Sequence, residues 1–269
     1  MTVTPILCYH GVGDDYPKTE RPFSFPADVF AAHLDAIARR GLRTVTLGEL
    51  MRLRHDGDEP SLARTVAITF DDGYADLLTT VAPLLVERQM VATAFLTTSF
   101  LDHRSAGRPS DDRWLSWDEA RALRETGAFE IGAHSHDHVE LDMLDVGDAR
   151  RQIHACRDRI ADELGARPTS FAYPYGYSTP TVQAMLREAG FMSACGVKHA
   201  LSGADDVPMN LARVRLLRRH PLATATRWIE GQALRVAPCP DELRTRLYRP
   251  VRRLRHRARR RRDAASASH

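Results

Sequence analysis

At 269 residues, 43% hydrophobic and 27% charged, the chain has the size and balance of one large α/β domain or two small ones, which excludes a disordered or fibrous protein. No apolar run approaches the roughly 18 residues of a membrane span, and the opening "MTVTPILCYHGVGDD" has neither the basic segment nor the long apolar run of a signal peptide, so a cytoplasmic protein is expected. The net charge of +3 hides an asymmetry: Arg249 to Arg262 contains nine arginines and no acid, and subtracting those nine leaves −6 on the rest.

In chain order, strands are predicted at "PILCYH" near Ile6, "RTVTL" near Val45, Thr65 to Phe70, "ATAFLTT" near Phe95, from Phe129 in "FEIGAH" and from Ser170 in "SFAYP". Helices are predicted over Pro26 to Arg40, Tyr74 to Arg88, Trp117 to Glu125, Val146 to Leu164 and Thr179 to Ala189. A Gly, Pro, Ser and Asp-rich loop is expected between Asp102 and Asp112. Ser116 with Glu119 forms a capping box that opens the third helix, and Gly127 ends it; Gly41 closes the first. Strands alternating with helices predict a parallel sheet covered by helices, open or closed into a barrel, with the loops after the strand ends gathered on one face. No repeat is visible, and residues 1–236 read as one catalytic domain followed by a basic tail, 237–269, partly helical or disordered. Cys8, Cys156, Cys195 and Cys239 are widely spread without a CxxC pair and read as reduced thiols.

Three strands end in polar sequences. In "TFDDG", Asp71 and Asp72 precede Gly73; an Asp-Gly after a strand is often only a turn, yet two adjacent carboxylates can also divide cation binding from proton transfer. In "HSHDH", His134 and His138 have the i, i+4 spacing that places two imidazoles on one side of a turn, while His136 and Asp137 point elsewhere and shape the loop. Asp72, His134 and His138 together would make a two-histidine, one-carboxylate set suited to zinc, with cobalt, nickel, manganese and iron also accommodated.

With "TFDDG", "HSHDH" and "FAYPYG" in this order, the chain resembles the polysaccharide deacetylases with a NodB-like homology domain, carbohydrate esterase family four, over roughly residues 5 to 218. The resemblance implies an α/β fold, a distorted (β/α) barrel, and hydrolysis of an N-acetyl, sometimes O-acetyl, group on a sugar. It further implies that Asp71 is the general base, that Asp72, His134 and His138 hold the metal, and that Ser135 steadies the histidine loop by hydrogen bonding. Pro174 and Tyr175 would line the groove, with the Tyr175 N–H stabilising the oxyanion and Tyr173 and Tyr177 as sugar contacts. An acid must then protonate the departing amine.

The chain departs from the commonest pattern. Ala172 stands where that pattern has an arginine orienting the base, and "LLRRH" ending at His220 is a poor copy of the late motif that supplies the acid. The "YH" strand and "FAYPYG" are similar to the bacterial poly-N-acetylglucosamine deacetylases, and by that likeness His10 is the acid and Arg213 of "NLARVRL" replaces the arginine. The blander alternatives are a core or loop histidine and a surface ion-pairing arginine. Trp114 suits sugar stacking, whereas Trp117 at a helix start suits the core.

The expected activity is metal-dependent deacetylation of an N-acetylhexosamine-containing glycan or glycoconjugate. A metal-dependent amidohydrolase of a small non-sugar amide and a catalytically silent glycan-binding domain are the alternatives. The basic run suggests contact with an anionic membrane surface, peripheral at the inner face; without interleaved aromatics, no specific nucleic-acid partner is expected.

Overall fold

The computed structural model of the protein describes residues 2–106, 113–196, 198–239 and 252. Its frame is a parallel sheet of short strands: β1 (Ile6–Tyr9), β2 (Arg43–Val45), β3 (Thr65–Phe70), β4 (Ala92–Leu96), β5 (Phe129–Ala133), β6 (Ser170–Ala172), β7 (Ser193–Cys195) and β8 (Val214–Arg215). The spatial order is β7-β6-β5-β4-β3-β1-β8, with β2 also paired to β3, and every one of these pairings is parallel. Leu211 bridges Cys195 at one edge of the sheet, and three residues later Val214 pairs with Leu7 at the other. The chain thus joins the two edges, which is the distorted (β/α) barrel expected.

Period-2 alternation sorts the strand residues between two apolar layers. Ile6, Ala67, Phe95, Ala172, Cys195 and Leu211 face the barrel interior and pack with Leu47, Leu50 and Leu53 of α2 (Leu47–Asp56), which plugs one end. Leu7, Tyr9, Ile68 and Phe70 face outward into the larger core. That core is completed by α1 (Ala27–Arg39), α3 (Ala82–Glu87), α4 (Thr98–Ser105), α5 (Trp117–Glu125), α6 (Val146–Leu164), α7 (Pro180–Glu188) and α8 (Leu222–Ile229). All six residues of β3 are buried, the unbroken apolar pattern of a strand covered on both faces. Gly132 is required in β5 because a Cβ there would lie 2.5 Å from the Phe95 ring.

Every predicted strand is present, and α5 and α6 have the predicted bounds. Three expectations need correction. Pro26 is the N-cap of α1 rather than its first residue. Tyr74 to Arg88 starts outside a helix, with Tyr74 bridging Trp114, and passes through a π turn, Leu77–Val81, before α3. The loop placed from Asp102 instead begins with helix, since α4 extends to Ser105; residues 107–112 lie outside the described set. At the end of the body, Val236–Ala237 is a strand parallel to Leu201–Gly203, which is antiparallel to Val3–Thr4. Of the basic tail, residues 240–251 and 253–269 lie outside the described residues. The four cysteines are free, and among the described residues no helix is long and apolar enough to cross a membrane.

Candidate active site

The loops after β1, β3, β5 and β6 and the entry to β8 converge on one end of the barrel, around a cavity of about 800 Å³. Asp71 and Asp72 follow β3 directly. Asp72 takes a positive φ of 77° and Gly73 one of 91°, so the chain reverses and the two carboxylates diverge. The turn is tied down at both sides by Thr97 N–H donating to Asp72 C=O (3.3 Å) and Leu115 N–H donating to Gly73 C=O (2.9 Å).

Asp71 is held by Arg213. The guanidinium donates from both terminal nitrogens, Nη1 to Oδ1 at 2.6 Å and Nη2 to Oδ2 at 2.7 Å, a two-pronged pair with neither partner open to solvent. Arg213 Nε donates to Gly196 C=O at 3.0 Å and Nη1 also reaches Thr69 Oγ1 at 3.2 Å, so its plane is fixed. Burial by itself would raise the Asp71 carboxyl, but the charge and hydrogen bonds of Arg213, together with His134 and His10, outweigh it and hold the group below the usual carboxylate value. Arg213 is therefore no surface residue, and it occupies the role its position in the sequence left open.

His134 extends β5, donating its backbone N–H to Leu96 C=O at 2.9 Å, and the following loop turns sharply through Ser135 (φ 63°) and His138 (φ 52°). The two imidazoles meet Asp72: His134 Nε2 lies 3.3 Å and His138 Nε2 3.2 Å from the same Asp72 Oδ1. One ligand atom from each of the three falls within 4.8 Å of the others.

The chemistry of these donors fits a divalent cation. His134 Nδ1 is 2.8 Å from Ala172 C=O, which can only accept, so Nδ1 carries the hydrogen and a neutral ring turns a bare lone pair from Nε2 toward the carboxylate. Two buried acceptors facing each other at 3.3 Å need a positive charge between or beside them. Burial would raise the Asp72 carboxyl, but the neighbouring imidazoles of His134, His138 and His10 together outweigh it and hold the group well below the usual carboxylate value. The two nearly opposed demands, anionic Asp72 and basic imidazoles, are those of a metal-ligating set.

Ser135 does not act as expected. Its Oγ is buried and finds no hydrogen-bond partner among the described residues. The loop is steadied instead by Ser99 N–H donating to His136 C=O (2.9 Å), by Thr98 Oγ1 against His136 Nδ1 (2.8 Å), and by Gln152, which pairs with both backbone and side chain of Asp137. His136 and Asp137 are thus loop-shapers.

His10, two residues beyond Cys8 on the same face of β1, lines the cavity with Nδ1 buried and unpartnered. Its ligand atom, that of Cys8 and that of Asp71 lie within 4.8 Å of one another. Burial lowers its pKa, only partly offset by Asp72 and Asp71. His220 lies elsewhere, its Nδ1 accepting from Leu217 N–H at 3.2 Å and its ring edge-on to Trp228, so it supplies no acid to the cavity.

The "FAYPYG" turn also divides differently from expectation. Tyr175, at φ 60°, is 57% exposed and packs edge-on against His138 at 4.8 Å, and Tyr177 lines the wall beyond it. Tyr173 and Pro174 are buried off the cavity. Since Ala172 faces the barrel interior, the next residue faces outward, and Tyr173 donates from its hydroxyl to Met209 C=O at 2.7 Å in the helical layer. Trp117 is core, donating Nε1–H to Asp102. Trp114 borders the cavity between Tyr74 and Phe100, with ring centres at 4.4 and 4.3 Å. Sequence reasoning passed over Tyr16, Tyr74, Phe23 and Glu140, all lining the cavity; only the alternation of Ile6, Cys8 and His10 could have added Cys8.

A barrel carrying a carboxylate fixed by a buried arginine beside a two-histidine, one-aspartate set has the makings of a hydrolase site. A family profile described as polysaccharide deacetylase matches residues 58–194, half of the chain, and the protein belongs to that family. It is 25% identical over 213 residues, 79% of this chain and 71% of the other, to YxkH of Bacillus subtilis (strain 168), which is named for the same family. The fold matches PplD of Streptococcus pyogenes, a deacetylase solved in complex with acetate, at TM-score 0.75, with 18% identity over 85% of this chain and 98% of that one. It also matches IcaB of Ammonifex degensii at TM-score 0.67, with 22% identity over 86% and 98%.

Proposed function

We propose that the protein is a metal-dependent deacetylase that removes the N-acetyl group from an N-acetylhexosamine-containing glycan or glycoconjugate and releases acetate. The observation that carries this reading is Asp71, fixed from behind by buried Arg213, beside the Asp72, His134 and His138 set at one cavity bordered by aromatic rings. A divalent cation held by Asp72, His134 and His138, with zinc suited to this donor set, would acidify a water and polarise the acetyl carbonyl.

Asp71, fixed by Arg213, accepts the proton of the attacking water. The Tyr175 N–H donates to the oxyanion that develops as the carbonyl carbon becomes tetrahedral. As the C–N bond breaks, His10 in its protonated form gives a proton to the departing amine, and the proton that Asp71 took from water restores the ring; because burial disfavours the charged imidazole, activity should fall as rising pH empties it. Trp114, Tyr74 and Tyr177 border the cavity, and the exposed ring of Tyr175 offers a face on which a sugar can stack.

The test is acetate release from N-acetylglucosamine oligomers and a lipid-linked acetylhexosamine by protein stripped of metal and then resupplied with zinc or cobalt. Release should vanish on stripping and return with metal. Tight metal binding without release from any of these would move a small non-sugar amide ahead as substrate; absence of metal binding would sink both enzyme readings.

We further propose a cytoplasmic location, peripheral at the inner membrane surface, on the strength of the Arg249 to Arg262 run. Full-length protein should cosediment with vesicles containing anionic lipid, and protein ending at residue 239 should not. Equal partition of the two would rule the idea out.

A further inference from the structure

Arg252 belongs by sequence to the basic run, yet it is only 5% exposed and borders the same cavity as Asp71 and Asp72. Its Nε donates to Glu140 at 3.0 Å, its Nη2 donates to Asp142 at 2.8 Å, and the guanidinium carbon lies 3.5 Å from the centre of the Tyr177 ring. Stacking on Tyr177 and bonds to two carboxylates fix the plane of the group. The remaining nitrogen, Nη1, is buried and finds no hydrogen-bond partner among the described residues. A buried donor without an acceptor is costly, and this one has its direction set in advance at a cavity wall.

The acceptor it suits is neutral. Glu140 and Asp142 already pair with this guanidinium, so its charge is met within the protein and what Nη1 lacks is an acceptor rather than a counter-ion. A sugar hydroxyl or an acetamido carbonyl asks only for the hydrogen bond. Glu140 lies two residues beyond His138 and Tyr177 two beyond Tyr175, so Arg252 is anchored on the same two loops that carry the acetyl-cleaving groups, at the wall of the one cavity.

We propose that Arg252, supplied from outside the family-matched segment, is a substrate-binding residue whose Nη1 donates to a neutral oxygen of a sugar adjoining the one that loses its acetyl group. This rests on the deacetylase reading above. Binding of N-acetylglucosamine tetramer is measured by calorimetry in metal-loaded Asp71→Asn protein, with and without Arg252→Ala or Arg252→Lys, and acetate release is followed in otherwise native protein.

Arg252→Ala should weaken tetramer binding about tenfold and raise KM in proportion, with a smaller fall in kcat. Arg252→Lys can still bridge the two carboxylates but lacks the stacked second nitrogen, so it should stay close to the alanine variant while melting like the parent. It also serves as the test if the alanine variant does not fold. A residue that merely pins the chain would lower the melting midpoint and leave tetramer affinity within twofold, which overturns the proposal, as does failure of the parent to bind tetramer. N-acetylglucosamine 1-phosphate binding more tightly than the plain sugar, dependent on Arg252, would overturn the neutral acceptor. Arg252-dependent binding without acetate release from native protein would sink the hydrolase reading alone; release with Arg252-independent binding would sink this proposal alone.

Discussion

Asp71→Asn should slow acetate release by about a thousandfold or more while leaving metal affinity within a few fold of the parent. Loss of a positioned general base typically costs two to four powers of ten, and an amide in place of this carboxylate can accept a hydrogen bond but not a proton. The metal should remain because the ligand atoms come from Asp72, His134 and His138, and Asp72 points away from its neighbour across a reversed turn. Folding should survive too, since Arg213 keeps Gly196 C=O and Thr69 Oγ1 as acceptors and the new amide oxygen supplies another. The informative contrast is His138→Ala, which should lose metal and turnover together. Turnover by Asp71→Asn within tenfold of the parent would show that another group takes the proton.

Arg213→Met should be the most destabilising of the single substitutions considered, by about 3–5 kcal/mol, because it strands the Asp71 carboxylate inside the barrel with no counter-charge. For a protein of this size that corresponds to a fall in melting midpoint of roughly 10 °C. Activity should drop at least about a hundredfold, since the base loses the two hydrogen bonds that set its direction. The double variant Asp71→Asn with Arg213→Met should recover part of the lost stability by removing the stranded charge, so the two effects would not add. Simple additivity in calorimetric melts would mean that the pair contributes nothing beyond its separate members.

How much of this was legible beforehand depends on whether the deciding interaction is local. Trp117–Glu125 could be bounded to the residue because Ser116 and Glu119 cap each other and the stop is a glycine, all within one short window. α2 escaped notice because Thr46 caps it directly after a strand, with no break between β2 and the helix. α4 escaped because it has little amphipathic pattern to read, Thr98, Ser99 and Leu101 being buried while Asp102 serves Trp117 and Arg159.

The same division holds at the site. Asp72, His134 and His138 sit in short motifs whose spacing already implies convergence, whereas Arg213 reaches Asp71 across 142 residues and only the closed barrel brings them together. Tyr173 misled because an aromatic beside a groove motif looks like a groove residue, although strand alternation from Ala172 turns it outward. Arg252 misled in the opposite sense, since composition labels it one more solvated charge.

Among the described residues, seven other than glycine have positive φ, and four of them, Asp72 (77°), Ser135 (63°), His138 (52°) and Tyr175 (60°), belong to the site loops. Such conformations cost on the order of 1–3 kcal/mol each, so together they draw on a substantial share of what a domain has to spare. Selection of a random library for heat tolerance alone would therefore drift toward glycine at these four positions, and its survivors would be sturdier proteins with no turnover. Any thermostabilised form meant to stay active has to find its gains in the helical shell and leave these turns as they are.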